Sequence, residues 1–177
     1  MIIKYKLSEE IIRWAFEVQM KKNKNWYIAF TNPTAGPWKK INIKNINGRF
    51  EEGYRFASKE TRPDLIIIND IKKEIIIIEA KDSIKKLLDQ NQIKKTIKVV
   101  QNMSSIECIK TLNYKIHLGL LWGGETREDF NLLFEEYYFT QQKMGSNFPI
   151  MGFEILFKNH SVDVIYIDNL KQERTNL

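Results

Sequence analysis

Two isoleucine-rich runs, Leu65-Ile66-Ile67-Ile68 and Ile75-Ile76-Ile77-Ile78, are separated by six residues and limit what this chain can become more than any other feature. β-Branched side chains at this density fit a pleated surface, and the break Asn69-Asp70-Ile71-Lys72-Lys73-Glu74 is polar enough to form a turn. Strands so close in sequence are expected to pair antiparallel, as a hairpin. Three charges then fall at the ends of otherwise apolar strands: Asp64 before the first run, and Glu79 and Lys81 after the second.

A turn centred between Ile71 and Lys72 sets Asp64 directly opposite Glu79, with Cβ atoms about 5 Å apart on one face of the sheet. Facing carboxylates at that range repel unless a cation lies between them, and hard oxygen donors so spaced suit Mg²⁺. Asp64 and Glu79 are therefore expected to be metal ligands. The side-chain period of two puts Lys81 on the face of Glu79, while the backbone carbonyl of Ala80 is placed to reach the same cation. The pairing depends on register, because a slip of one residue sends the side chains to opposite faces. Taken singly, an Asp after Pro63 can simply open a strand, and a Glu and a Lys can simply mark where a strand leaves the core. Taken together, charges that follow four consecutive isoleucines need partners, because buried charge is rarely tolerated alone.

Pro63-Asp64, followed after a gap by Glu79-Ala80-Lys81, resembles the signature of the PD-(D/E)xK nuclease superfamily. The likeness covers Arg62 to Asp82, with both halves at the ends of adjacent predicted strands, and the surrounding predicted elements also resemble that superfamily's α-β-β-β-α-β core. It implies an α/β fold with a restriction-endonuclease-like core, in which a mixed central β-sheet is flanked by α-helices. It also implies phosphodiester hydrolysis with Mg²⁺, or Mn²⁺ in its place, and catalytic roles for Asp64, Glu79 and Lys81. A helix near the N-terminus often supplies a further acid in this superfamily, which points to Glu10, with Glu9 next to it. A compact, basic chain of this kind looks most like a type II restriction endonuclease acting on double-stranded DNA, which needs two active sites and hence a homodimer. The alternatives are a structure-specific nuclease, of the Holliday-junction resolvase or repair type, and a non-catalytic nucleic-acid-binding domain.

The chain's 177 residues suffice for one domain with a real core, spanning residues 1–177. An excess of 28 Lys and Arg over 22 Asp and Glu gives a net charge of +6, a balance that favours polyanionic partners. Much of it is gathered just before the motif, in Lys39, Lys40, Lys44, Arg49, Arg55, Lys59 and Arg62, with Asn42, Asn45 and Asn47 among them. These cations are expected to meet DNA phosphates, and the amides to offer hydrogen bonds to base edges. The single cysteine, Cys108, excludes an internal disulfide, a cysteine-rich zinc site and the iron–sulfur cluster of some relatives of the superfamily. With His117 and His160 the only histidines, a His-rich metal site and a Ser-His-Asp triad have no support. Apolar runs of strand length cannot cross a bilayer as helices, and Met1 to Lys6 lacks a signal-peptide core, so a cytoplasmic protein with no membrane partner is expected.

The remaining pattern predicts a helix from Glu9 to Lys22 capped by Ser8, with Ile11, Ile12, Trp14, Ala15, Phe16 and Val18 inward and Arg13 lying outward with Glu17. A strand follows over Trp26 to Phe30, then a loop over Asn32 to Pro37, then one or two strands within Ile41 to Phe56. Ser83 is placed to cap one long helix from Ile84 to Met103, with Lys85, Lys86, Lys94, Lys95 and Lys98 on its outer face. A buried strand over Ile116 to Trp122 and a helix over Glu125 to Lys143 come next, the latter with Phe130, Leu133, Phe134, Tyr137 and Tyr138 inward. Pro149 to Phe157 and Val162 to Ile167 read as a second hairpin, and Lys171 to Leu177 as a frayed end.

Overall fold

The computed structural model of the protein describes residues 8–31, 43–44, 50–51, 62–123, 130–158, 161–168 and 173–176. In chain order the elements are α1 (Glu9–Lys22), β1 (Tyr27–Thr31), β2 (Ile43–Lys44), β3 (Phe50–Glu51), β4 (Leu65–Asn69), β5 (Glu74–Lys81), α2 (Ile84–Leu87), α3 (Gln90–Ser104) and α4 (Glu107–Lys110). They continue with β6 (Lys115–Gly123), α5 (Phe130–Lys143), β7 (Ile150–Lys158), β8 (Ser161–Asp168) and β9 (Glu173–Asn176). Seven strands form one open sheet in the order β1-β4-β5-β6-β7-β8-β9, and β2 and β3 pair separately. The two pairings of β5 with β6 and β6 with β7 are parallel and the rest antiparallel, which makes the fold α/β with a mixed sheet. Among the described residues no helix is long and apolar enough to cross a membrane.

The two isoleucine runs form interior strands of this sheet, second and third in its order. Leu65 pairs with Ile78 and Ile68 with Ile75, the register expected from a turn centred between Ile71 and Lys72. The turn closes with Lys73 in the left-handed region (φ 58°) and with Asn69 Oδ1 accepting the Lys72 amide at 2.9 Å. All eight residues of the two runs are at most 1% exposed, each contributing about 1.5–3 kcal/mol of burial.

Alternation divides the runs between two cores. Ile66, Ile68, Ile75 and Ile77 face Ile93, Ile97 and Val100 of α3 and Leu133, Phe134 and Tyr137 of α5. Leu65, Ile67, Ile76, Ile78 and Ala80 face Ile12, Ala15, Phe16 and Met20 of α1. Parallel strands covered on both sides read as continuous apolar runs, and β5 and β6 do. Gly119 of β6 lies where a Cβ would come within 2.6 Å of Ile78 Cγ1 and 2.7 Å of Ile76 Cγ2, so the bulk of β5 leaves room there only for glycine.

Several expectations change. The helix predicted over Ile84 to Met103 is two helices, because Asp89 breaks it and caps α3, its Oδ1 accepting the amides of Asn91 and Gln92 at 3.0 Å each. Ser83 makes no side-chain cap. On α1 the buried stripe runs through Ile12, Arg13, Phe16 and Met20, while Ile11 and Trp14 are exposed, so Arg13 faces in rather than out. Tyr138 is exposed on α5. Glu173–Asn176 adds a strand to β8 where a frayed end was expected. The Asn32–Pro37 loop, Asn42, Asn45, Asn47, Arg55, His160 and the start of the helix predicted from Glu125 lie outside the described residues, as does the side chain of Cys108.

Candidate functional site

The ladder between β4 and β5 ends at Leu65 and Ile78, and Asp64 departs from it in a way that builds a site. Its amide donates to the Ile78 carbonyl at 3.0 Å, and its carboxylate turns into the plane of the sheet, where Oδ2 accepts the Ala80 amide at 2.8 Å. The side chain thus satisfies a strand amide that has run out of backbone partners, as a buried donor requires. This bond fixes Asp64 against the end of β5, where Glu79 and Lys81 project toward α3 by alternation. Asp64 is 7% and Glu79 5% exposed.

Lys81 closes the cluster. Its Nζ lies 2.7 Å from Glu79 Oε1 and 2.9 Å from the Ala80 carbonyl oxygen, and 4.0 Å from Asp64 Oδ2. Glu9 Oε2, from the first turn of α1, stands 3.5 Å away. An ammonium with three donors is therefore ringed by oxygens from both faces of the sheet. Burial first, and then the Asp64 charge, push the Glu79 carboxyl up to about 7, against the lowering effect of Lys81 and a smaller one from Lys95. Burial alone would lower the Lys81 ammonium, but Glu79, Asp64 and Glu9 together hold it above its ordinary value. The cluster needs a positive charge, and Lys81 supplies it.

Two further elements brace the acids. Arg13 of α1, almost fully buried, places a guanidinium nitrogen 3.9 Å from Asp64 Oδ1. Gln92, in the first turn of α3, donates Nε2 to Glu79 Oε1 at 2.8 Å and to Thr96 Oγ1 at 3.1 Å. Thr96 Oγ1 donates to the Gln92 carbonyl at 2.8 Å and lies 3.4 Å from the hydroxyl of Tyr137, whose own ionisation is suppressed by burial. The strand register also carries buried Glu154 onto this face, two strands beyond Lys81 through Trp122.

The structure brings together Asp64, Glu79, Ala80 and Lys81 and separates Glu10, which is exposed on α1. Glu9 takes the place expected of Glu10, because Glu9, Arg13, Phe16 and Met20 fall on one side of the helix at spacings of three and four. Arg62 is half-buried two residues before Asp64, and its Nε has no hydrogen-bond partner. Lys39, Lys40, Arg49 and Lys59 lie outside the described residues, and of Lys44 only the backbone in β2 is described.

Sequence reasoning missed Gln92 and Arg13. The signal for Gln92 is an Asp-x-x-Gln capping pattern, Asp89 to Gln92, before the apolar positions of α3. Arg13 carries no such mark.

Among the described residues no group of three or more His, Cys, Asp or Glu side chains converges to hold a metal. A hard divalent cation would instead have two carboxylates, Asp64 and Glu79, and the Ala80 carbonyl, an all-oxygen set that fits Mg²⁺ with water and substrate oxygens completing it. The ammonium already lodged among those oxygens shows that their geometry accepts a cation. The cluster lies at the carboxyl end of β5, among the parallel strands, a common place for ligands in open α/β sheets. Comparison with protein-family models, with curated proteins and with solved structures found no match to this chain.

Proposed function

We propose that this protein is a Mg²⁺-dependent endonuclease hydrolysing phosphodiester bonds in double-stranded DNA. The observation that carries the reading is the ring of Glu79, Ala80 and Asp64 oxygens around the Lys81 ammonium at the end of β5. Three oxygens converging on one cationic point, whose present occupant is an ammonium on a flexible stem, is an arrangement that suits phosphoryl chemistry.

Asp64 and Glu79, with the Ala80 carbonyl, would hold the metal, which when bound neutralises charge on the scissile phosphate and promotes ionisation of water. Asp64 is held by the Ala80 amide, and Glu79 by Gln92, so neither carboxylate has to reorganise when substrate arrives. Lys81, whose stem lets its ammonium leave the carboxylates, would orient the attacking water and stabilise negative charge developing on phosphorus-bound oxygen. Glu9 keeps that ammonium within reach of the cluster. Arg62, a half-buried cation whose buried Nε lacks a protein acceptor, supports phosphate binding beside Asp64.

The motif's likeness to PD-(D/E)xK nucleases extends the reading to a restriction-endonuclease-like fold and a sequence-specific type II restriction endonuclease, acting in the cytoplasm as a homodimer. Mn²⁺ is expected to replace Mg²⁺. Incubating wild type and Lys81→Ala with a mixed-sequence plasmid, in Mg²⁺ or EDTA, tests this directly. Discrete Mg²⁺-dependent fragments, lost in the variant, support it. Cutting of branched DNA alone would favour a junction or repair nuclease, and binding without cutting a non-catalytic domain.

A further inference from the structure

Beyond Lys81 the chain passes through Asp82 and Ser83 into α2, and these residues, with Lys85, Lys86 and the start of α3, enclose a groove of about 640 Å³. Two of its lining residues, Lys81 and Gln92, both bond Glu79 Oε1, so the groove opens directly from the carboxylate cluster. Its volume is large enough for a nucleotide-sized unit.

The charges in its wall do not cancel evenly. Asp82 is taken by Lys86 Nζ at 2.5 Å and by the Ser83 hydroxyl at 3.2 Å. Asp89 is spent on the Asn91 and Gln92 amides that begin α3. Lys81 belongs to Glu79. Lys85 remains: it is exposed, lines the groove, and among the described residues has no hydrogen-bonding or ion-pairing partner. Each acid is committed, so the groove's uncommitted charge is positive. A polyanion whose reacting group sits at Asp64 and Glu79 meets that charge next.

We infer that this groove carries the backbone of the DNA strand being cut, with Lys85 binding a phosphate that flanks the scissile one and Lys86 supporting it. The inference rests on the nuclease reading and adds to it a substrate-positioning surface on α2. Lys94 and Lys98 of α3 are also exposed but do not line the groove, which provides a control of equal charge.

The test compares full-length wild type, Lys85→Gln, the pair Lys85→Gln with Lys86→Gln, and the pair Lys94→Gln with Lys98→Gln. Anisotropy of a fluorescein-labelled DNA duplex in EDTA gives affinity across a salt series, and plasmid cutting in Mg²⁺ is followed in parallel. Lys85→Gln is expected to weaken binding about tenfold, the loss of one charge-assisted contact. The log–log salt slope should fall by about 0.9 for each phosphate contact removed. The control pair should bind within about twofold of wild type, because its lysines make no specific phosphate contact. Equal weakening by both pairs, or none by the groove variants, overturns the inference while wild-type cutting keeps the nuclease reading intact. A wild type that neither binds nor cuts DNA overturns both.

Discussion

Lys81 Nζ lies 2.7 Å from Glu79 Oε1 and within 2.9 Å of the adjacent Ala80 carbonyl, so the ammonium stands where a divalent cation bound by these oxygens would stand. On the proposed reading the two cations compete. Lys81→Met removes the competitor and leaves two close carboxylates uncompensated, which raises their demand for a metal. At pH 8, Lys81→Met should bind Mn²⁺ more tightly than wild type by titration calorimetry. If the proposed function holds, its DNA cleavage should fall at least about 100-fold, because the group assigned to stabilise the transition state is gone. Unchanged or weaker Mn²⁺ binding would show that the ammonium does not occupy the cation position.

The raised Glu79 carboxyl has a consequence for stability. Its pKa is about 7 in the folded protein against an ordinary 4.5, so between those values the folded state holds a proton that the unfolded state has released. Stability then falls as pH rises across that window and levels off above it. Glu79→Gln cannot ionise. Wild type should therefore lose stability relative to Glu79→Gln from about pH 4.5 to 7, read as denaturant midpoints, with a constant difference above. A difference that does not vary with pH would assign the stabilising proton elsewhere.

The pairing of the two runs, and with it the nearness of Asp64 to Glu79, was legible because it depends only on local features: two runs of β-branched residues, one turn, and a period of two. The step by which Asp64 leaves the ladder to accept the Ala80 amide was not. The first helix was less so. Its boundaries follow from Ser8 and the apolar spacing, but Trp14 and Ile11 drew the inferred face toward Glu10, whereas packing on β5 and β7 buries the side that carries Glu9 and Arg13. Nothing local distinguishes a helix arginine that will meet Asp64, 51 positions later in the chain, from one that will meet water. Lys85 and Lys86 stand on α2 while Lys94, Lys95 and Lys98 stand on α3 because Asp89 ends one helix and starts another. β9 was illegible for a different reason: Glu173-Arg174-Thr175-Asn176 has no apolar alternation, and its pairing comes from the free edge of β8.

Asp89 and Gln92 act in series, since the cap that begins α3 sets the turn from which Gln92 reaches Glu79. Asp89→Ala should cost about 1 kcal/mol of stability as a lost N-cap, lowering Tm by about 2–4 °C for a chain of this size. Gln92→Ala should leave Tm nearly unchanged yet reduce kcat, because Glu79 loses the donor that fixes it. A Gln92→Ala protein with wild-type turnover would reduce this contact to packing.

Gly119 gives a test that leaves the chemistry aside. An added Cβ would press on Ile78 and Ile76, both fully buried between β4, β6 and α1, and neither has space to give way. Gly119→Ala is expected to destabilise the protein by about 1–3 kcal/mol through overpacking. Gly119→Ala should cost less in an Ile76→Ala background than in wild type, because that truncation removes the Cγ2 the new Cβ would meet, without touching Glu79 or Lys81. An equal cost of Gly119→Ala with and without Ile76→Ala in chemical denaturation would mean that β6 shifts as a whole instead of pressing on β5.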